Sequence, residues 1–203
     1  MELIINGAPG PLKAPNVRTT AGGEVEADEK GKVSRFVFKT SVEPDRGEVA
    51  FVRVISGTMT EGMELTNMTT GNKEKIGQIF VSAGKNRVKV TELSAGDIGC
   101  TVKLKGTRVN QTLNGPGADW EINRIGFPQA RFRTAVKAKN SADDEKLGEL
   151  LTRAHYEDPS IMVEYSKELK QTILSGQGEH HLNILKNQLQ NLHKLEVEYI
   201  TPK

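Results

Sequence analysis

Two adjacent histidines, His180 and His181, follow a glycine-rich segment and are the residues best suited to metal binding or acid–base chemistry. Neighbouring residues of a helix point about 100° apart, so this pair cannot chelate one ion from the same helix face. His181 precedes Leu185 by one helical turn on an apolar stripe, which favours a structural, half-buried histidine. His180 points outward and is predicted to be a contact residue. No nucleophile is recognisable beside either histidine.

An acidic run at Asp143, Asp144 and Glu145 is a second candidate metal site. No further carboxylate or histidine ligand can be assigned to the same place, so we predict that these side chains favour the start of a helix instead. Ser141 and Asp144 have the spacing of a capping box, which also predicts a helix start. We therefore expect no metal site in this chain.

A phosphate-binding loop of the form Gly-x-x-x-x-Gly-Lys-Ser/Thr is absent from the sequence. The nearest glycine-rich stretch is GAPG at residues 7–10, where a proline removes a donor N–H group, and we interpret it as linker. The sequence thus predicts no catalytic residues and no cofactor held by this chain.

Composition excludes further classes of protein. The 203 residues include 28 Lys and Arg against 26 Asp and Glu, and a net charge of +2 is too small to identify a nucleic-acid-binding protein. No apolar run approaches the roughly 18–20 residues that span a bilayer, and the first ten residues lack the pattern of a signal peptide. We expect a cytoplasmic protein without membrane contact. The single cysteine, Cys100, is predicted to pack as a small apolar residue in a strand.

The first part of the chain has the pattern of a small β-barrel. Sixteen of the 20 glycines precede Trp120 and stand between short β-branched runs, where turns often require a positive φ. Six evenly spaced strands without a helical period predict a closed or nearly closed barrel over 31–118. The predicted strands are 33–42, 48–55, 63–68, 74–81, 87–93 and 98–104.

The second part, 119–203, changes to a mixed pattern. Strict alternation over 131–139 predicts a half-buried strand, and the remaining elements complete the order β-α-β-β-α-β. This order is that of a ferredoxin-like α/β sandwich, in which both helices cover one face of the sheet. The predicted helices carry Leu147, Leu150, Leu151 and Ala154, and Leu182, Leu185, Leu189 and Leu192; the other predicted strands are 161–165, 171–175 and 195–200.

A basic stripe lies on the exposed face of the strand at 131–139. Its members are Arg131, Arg133, Lys137 and Lys139, while Phe132 alternates onto the apolar face. In this topology the last strand pairs with the first, so Glu196 and Glu198 come near the stripe, and we favour cross-strand charge pairs. Direct contact with RNA phosphates remains the alternative, since it requires no aromatic residue.

Several segments resemble translational GTPases. Residues 47–58 (GEVAFVRVISGT) resemble the signature of the second-domain barrel, and residues 93–99 (LSAGDIG) resemble a later turn of that barrel. Residues 144–147 (DEKL), 157–160 (EDPS) and 171–182 (QTILSGQGEHHL) resemble, in this order, the third domain of elongation factor G. Two departures suggest a divergent paralogue: His180 replaces a usual leucine, and 109–113 lacks the Gly-Asp pair usual before Thr-Leu.

The resemblance implies a fragment of a larger protein. It implies that 1–30 is a linker from a missing GTPase domain, which would hold GTP and Mg²⁺, and that further C-terminal domains follow. It also implies that the barrel docks on small-subunit rRNA and a ribosomal protein, in support of GTP-dependent translocation, and that the fragment is a monomer. The candidate contacts with the ribosome are Lys73, Lys75, Lys85, Arg87, Arg131, Arg133, Lys137 and Lys139. The candidate contacts with the GTPase domain are Ser175, Gly176, Gln177, Gly178, Glu179 and His180.

Three alternatives stay open on the sequence alone. In the first alternative, the larger protein is a ribosomal protection protein or a release factor of the same superfamily. In the second, the chain is a freestanding RNA-binding or regulatory module. In the third, the chain is a small metal-dependent hydrolase, which predicts that it binds zinc or magnesium stoichiometrically.

Overall fold

The chain folds into two units, described by a computed structural model that covers residues 7–43, 47–84 and 86–202. One unit ends at Ile125 and the other begins at Gly126. The predicted boundary after residue 118 is therefore too early. Trp120 and Ile122 belong to the first unit because they pack there in one apolar cluster with Val25 and Phe36.

The first unit is built from short strands with glycine at the turns between them. Gly57, for example, has a φ of +74°, and a Cβ there would lie 2.8 Å from the Cα of Val33, so only glycine fits this turn. The strands are β1 (Val17–Arg18), β2 (Glu24–Val25), β3 (Ser34–Glu43), β4 (Gly47–Ser56), β5 (Thr58–Thr60), β6 (Glu64–Asn67), β7 (Lys73–Lys75), β8 (Ile79–Ala83), β9 (Asn86–Val90), β10 (Glu92–Ser94), β11 (Ile98–Val102) and β12 (Gln111–Asn114).

Among the described residues, eight of these strands form one antiparallel sheet in the order β7-β6-β12-β3-β4-β11-β8-β9. β5 pairs with β10, and β1 pairs with β2. Alternate residues of the long hairpin β3–β4 point inward, and Val37 and Val52 join Leu65 and Leu113 in one buried cluster. Strands from all parts of the sheet supply this single core, which confirms the barrel-like architecture.

Two further apolar clusters lie outside the barrel interior. Cys100 is fully buried in one of them, beside Val49 and Phe80, which confirms its predicted packing role. Val25 is buried in the other. The prediction that 1–30 is linker is therefore wrong for β1 and β2, since burial of Val25 fixes this hairpin to the unit.

The structure also corrects the predicted strands. The predicted strand 74–81 is two strands: β7 pairs with β6, and β8 pairs with β11. The chain changes its pairing partner at Gly77, where an added Cβ would lie 2.7 Å from the carbonyl oxygen of Val102. Strand β12 was not predicted at all. It lies between β3 and β6 in the sheet, but its sequence, Gln-Thr-Leu-Asn, shows no alternation of apolar and polar residues.

Two charged side chains are buried in the first unit. Arg35 is fully buried, and its guanidinium donates to the sulfur of Met63 at 3.6 Å, while within the described residues its Nε and one terminal nitrogen have no hydrogen-bond partner. Burial lowers the pKa of Arg35 to about 9. The carboxylate of Glu74 accepts hydrogen bonds from the N–H groups of Lys105 and Gly106 and from the hydroxyl of Thr107.

The second unit has the predicted β-α-β-β-α-β order. Its sheet follows the order β14-β15-β13-β16, with all neighbours antiparallel, which confirms the ferredoxin-like sandwich. Its elements are β13 (Phe132–Ala138), α1 (Asp144–Glu157), β14 (Met162–Ser166), β15 (Gln171–Gly176), α2 (Glu179–Asn191) and β16 (Val197–Ile200), and a 3-10 turn at Ser141–Asp143 precedes α1.

Both helices bury leucine stripes against the sheet. Leu147 and Leu151 of α1 and the predicted leucines of α2 form the core with β13 and β15, with one exception. Leu192 is 73% exposed because α2 ends at Asn191, and Leu195 occupies the buried position instead. The predicted capping box is also wrong: the side chain of Asn140, not Ser141, accepts the N–H of Ala142 at the helix start.

Candidate functional site

A histidine–carboxylate pair joins the end of α1 to the start of α2. His181 Nε2 lies 3.0 Å from Asp158 Oδ2, and His181 Nδ1 accepts the backbone N–H of Gln177 at 3.3 Å. Because Nδ1 accepts a hydrogen bond, Nε2 is the nitrogen that donates to Asp158. Asp158 Oδ1 accepts the N–H and the hydroxyl of Ser160 at 2.9 and 2.6 Å. The segments EDPS and SGQGEHHL, distant in sequence, thus form one hydrogen-bonded network.

Asp158 is the centre of this network and also ends α1. Its backbone is extended, and Pro159 disfavours a helical conformation at the residue before it. Partial burial opposes ionisation of Asp158, but the hydrogen bonds from Ser160 and His181 outweigh it and hold the pKa of Asp158 below its ordinary value. The half-buried His181 therefore has the structural role that the sequence predicted, and its partner is a carboxylate that the sequence did not identify.

The predicted contact segment 175–180 is only partly accessible. Ser175 and Gly176 belong to β15, and a Cβ at Gly176 would lie 2.6 Å from Leu182 Cδ2, so this glycine is needed for close packing. Gly176, named above as a candidate contact, is therefore buried in a strand and is not accessible. Glu179 and His180 are exposed on the first turn of α2.

Gln177 has a role that no sequence pattern indicated. Its side-chain amide donates to the carbonyl oxygens of Pro128 and Gln129, at 2.9 and 3.2 Å. The backbone N–H of Arg131 donates to the carbonyl of Gly176 at 2.8 Å. Through these bonds, Gln177 holds the segment before β13 beside the start of α2. Gly178, the next residue, is the N-cap of α2.

The basic stripe is paired with carboxylates across the sheet. Lys137 lies 3.0 Å from Glu198, and Lys139 lies 2.8 Å from Glu196, as the predicted strand order requires. The hydrogen bond and the charge of each partner raise the pKa of Lys139 and lower that of Glu196. The preference for charge pairs is confirmed for these two lysines.

The remainder of the stripe differs from this pattern. Arg133 reaches Glu164 only at 3.8 Å, and Arg131 forms no ion pair with another described residue. Phe132, predicted to lie among apolar residues, is 36% exposed at the start of the strand. Surface pairs of this kind contribute little to stability and can exchange partners.

The candidate contacts of the barrel differ from one another. Lys73 pairs with Glu64 at 2.9 Å across β6 and β7, and Lys75 is exposed on the same strand. The Arg87 guanidinium is largely enclosed, since it pairs with Glu43 and lies 5.4 Å from the centre of the Phe51 ring. Lys85 lies outside the described residues.

Two kinds of feature are absent from the described part of the chain. Within residues 7–43, 47–84 and 86–202, no group of three or more His, Cys, Asp or Glu residues is placed to hold a metal ion. The same ranges contain no helix that is long and apolar enough to cross a membrane.

Both units of the chain are similar to parts of known proteins. Residues 32–115 match the family model of elongation factor G domain 2, and residues 127–201 match that of elongation factor G domain III. The crystal structure of a protein from Thermus thermophilus is similar with a TM-score of 0.79 and 28% sequence identity. That similarity covers 100% of this chain and 28% of the Thermus protein, so the chain spans less than a third of that protein's length.

Proposed function

We propose a ribosomal role for this chain, which belongs to the elongation factor G family and carries that family's domains II and III. In this proposal the chain is part of a cytoplasmic translational GTPase, and its two units support GTP-dependent translocation in protein synthesis. The observation that carries the proposal is the Asp158–His181 network, because it joins two segments of the resemblance and holds the start of α2 with Glu179 and His180 outward.

In this proposal the barrel unit docks on small-subunit rRNA and a ribosomal protein. Lys75, Lys103 and Lys105 are exposed, and the bond from the N–H of Lys105 to Glu74 brings two of these lysines to the same part of the unit. Among the described residues, no carboxylate forms an ion pair with any of the three lysines. Unpaired lysines suit contact with phosphates of a folded RNA, which is recognised by shape and charge.

The second unit would connect the barrel to the GTPase domain of the parent protein. Glu179 and His180 offer one carboxylate and one imidazole at the exposed start of a helix that the network fixes in place. A rigid element of this kind transmits a nucleotide-dependent movement as a rigid body.

We further propose that this chain contributes no catalytic group. The described residues include no group that fits a metal ion, and the sequence lacks a phosphate-binding loop. GTP and Mg²⁺ would be held by the GTPase domain of the parent.

Ribosome co-sedimentation of the full-length parent with GTP, GDP or a non-hydrolysable GTP analogue tests docking. The double variant Lys75→Glu, Lys105→Glu is expected to weaken binding at least tenfold and to reduce its dependence on salt. The double variant Lys13→Glu, Lys30→Glu, at two exposed lysines of the same unit, is the matched control for charge. Docking through this surface is refuted if the double variant binds as tightly as the control.

A translocation assay tests coupling in the same parent protein. Glu179→Gln with His180→Ala is expected to slow translocation while ribosome binding stays unchanged. Activity in peptide release or in displacement of tetracycline, without translocation, would reassign the parent to one of the related factor types.

A further inference from the structure

Gly148 lies in the interior of α1, and nothing in the fold requires a glycine there. Its φ is not positive, and a Cβ added to it would meet no atom within 4 Å outside its own helix turn. Glycine destabilises a helix interior relative to alanine, so an unneeded glycine at this position calls for another reason.

A cavity beside Gly148 supplies that reason. It has a volume of ≈ 620 Å³ and lies wholly within the second unit. The floor is formed by Leu147 and Leu151 of α1, and the opposite wall by Tyr165 and Leu169 of the β14–β15 hairpin. A side chain at residue 148 would take up space in this cavity.

Two large apolar side chains of the cavity wall are exposed. Tyr165 is 64% exposed and Leu169 is 39% exposed, although both would be more stable if covered. A large exposed aromatic beside a concave site is typical of a surface that binds a planar group.

The rim of the cavity carries polar and charged groups. Lys170, with a φ of +49°, forms no ion pair with another described residue, and it stands next to Gln171 and Thr172 at the cavity edge. The exposed carboxylate of Asp144 lines the side that α1 contributes. One aromatic face, one available cation and several hydrogen-bonding groups therefore converge on one space.

We propose that this cavity binds a single unpaired nucleotide of an RNA. The base would stack on Tyr165 over the space left by Gly148, its edge would exchange hydrogen bonds with Asp144 and Thr172, and its phosphate would meet Lys170. A purely apolar protein side chain would cover Tyr165 but would use neither the carboxylate of Asp144 nor the ammonium group of Lys170. The assignment rests on the proposed function in that the ribosome is the source of the RNA.

Titration of the ¹⁵N-labelled chain with AMP, GMP, CMP or UMP, followed by NMR, tests the site directly. The amide signals of Gly148, Lys170 and Thr172 are expected to shift together and to saturate for at least one nucleotide. The corresponding nucleoside is expected to bind more weakly, because it lacks the phosphate that meets Lys170, and Lys170→Gln is expected to remove this difference.

Gly148→Ala separates loss of the site from loss of the fold. Alanine should raise the thermal midpoint of the chain while weakening nucleotide binding at least tenfold, because its methyl group enters the cavity. Glu149→Ala, at the next exposed position of α1, is the matched control and should leave binding unchanged. Tyr165→Phe should retain binding, and Tyr165→Ser should lose it.

The proposal is overturned if no nucleotide shifts these signals, or if Gly148→Ala binds as tightly as the unchanged chain. Ribosome co-sedimentation of the parent carrying Gly148→Ala distinguishes this failure from failure of the proposed function. If Gly148→Ala weakens ribosome binding of the parent but no nucleotide shifts the signals, the cavity binds a protein side chain and the docking proposal still stands. Absence of ribosome binding by the unchanged parent would refute docking, whatever the nucleotides show.

Discussion

The barrel encloses charged side chains, whereas the sandwich keeps its charged side chains at the surface. Among the described residues, the buried charged residues are Arg35 and Glu74, and both belong to the first unit. The core of the second unit is apolar, and its Asp158–His181 pair lies at the helix ends. The stability of the sandwich should therefore follow apolar packing, while that of the barrel should also depend on how well each enclosed charge is satisfied.

The largest effect is expected from the apolar core of the sandwich. Leu189→Ala, at a residue that is 1% exposed, should lower the free energy of unfolding by about 2–5 kcal/mol, because it removes buried methyl groups and leaves a cavity. Hydrogen exchange of the α2 amides measures the change. Leu192→Ala, at the 73% exposed leucine just beyond the same helix, is the matched control and should change stability by less than about 0.5 kcal/mol. Equal effects of the two would contradict the packing account.

Within the barrel, replacement of Glu74, the buried carboxylate with hydrogen-bond partners, should have the next largest effect on stability. Glu74→Ala leaves the N–H groups of Lys105 and Gly106 and the hydroxyl of Thr107 without their acceptor, at an expected cost of about 2–4 kcal/mol. Urea unfolding followed by the fluorescence of Trp120, the single tryptophan, reports on this unit. Glu64→Ala, on the surface of β6, should have little effect on stability. A loss of stability as large as that of Glu74→Ala would contradict the distinction between buried and surface carboxylates.

Replacement of the unsatisfied charge should act in the opposite direction. Arg35→Met keeps much of the side-chain volume and removes a buried cation with unpartnered nitrogens, so we expect a gain of about 1–3 kcal/mol. The same fluorescence measurement detects it. Arg53→Met, at an exposed arginine of β4, should leave stability unchanged. Destabilisation by Arg35→Met would show that the guanidinium is better satisfied than its contacts indicate.

The smallest effect concerns the surface network of the sandwich and depends on pH. The pKa of Asp158 is lowered in the folded chain from its ordinary value of 3.8, so its contribution is present above that value and is lost as the pH falls through the folded pKa. Asp158→Asn should cost about 1 kcal/mol at pH 7 and nothing below the folded pKa. Thermal unfolding of both proteins across this range tests it, and a difference that persists in acid would reject the ionised Asp158.

The sequence predicted those elements whose apolar residues follow a clear period. The stripe Leu182, Leu185 and Leu189 identified α2, and the order of the sandwich strands placed Glu196 and Glu198 beside the correct lysines. Strand β12 was missed because Leu113 is its single large apolar residue, so no alternation is visible, and the strand is defined by its pairing with β3 and β6.

The candidate site was predictable in part. The exposed position of His180 and the structural role of His181 followed from helical spacing, since residues on one turn have fixed directions. The pairing of His181 with Asp158 could not be predicted from this spacing, because the two residues meet only after α1 and α2 pack on the same sheet face. The clamp by Gln177 and the close packing at Gly176 likewise depend on contacts between distant segments, which no local pattern encodes.

Cys100 gives the first unit a built-in reporter for the opening of one of its apolar clusters. Its side chain is fully buried and it is the single thiol of the chain, so a reagent that modifies thiols reaches it only when this part of the barrel opens. At high reagent concentration, the rate of modification equals the rate of opening, and at low concentration it reports the equilibrium between closed and open forms. The native sequence thus allows the lifetime of this closed cluster to be timed without any substitution or label.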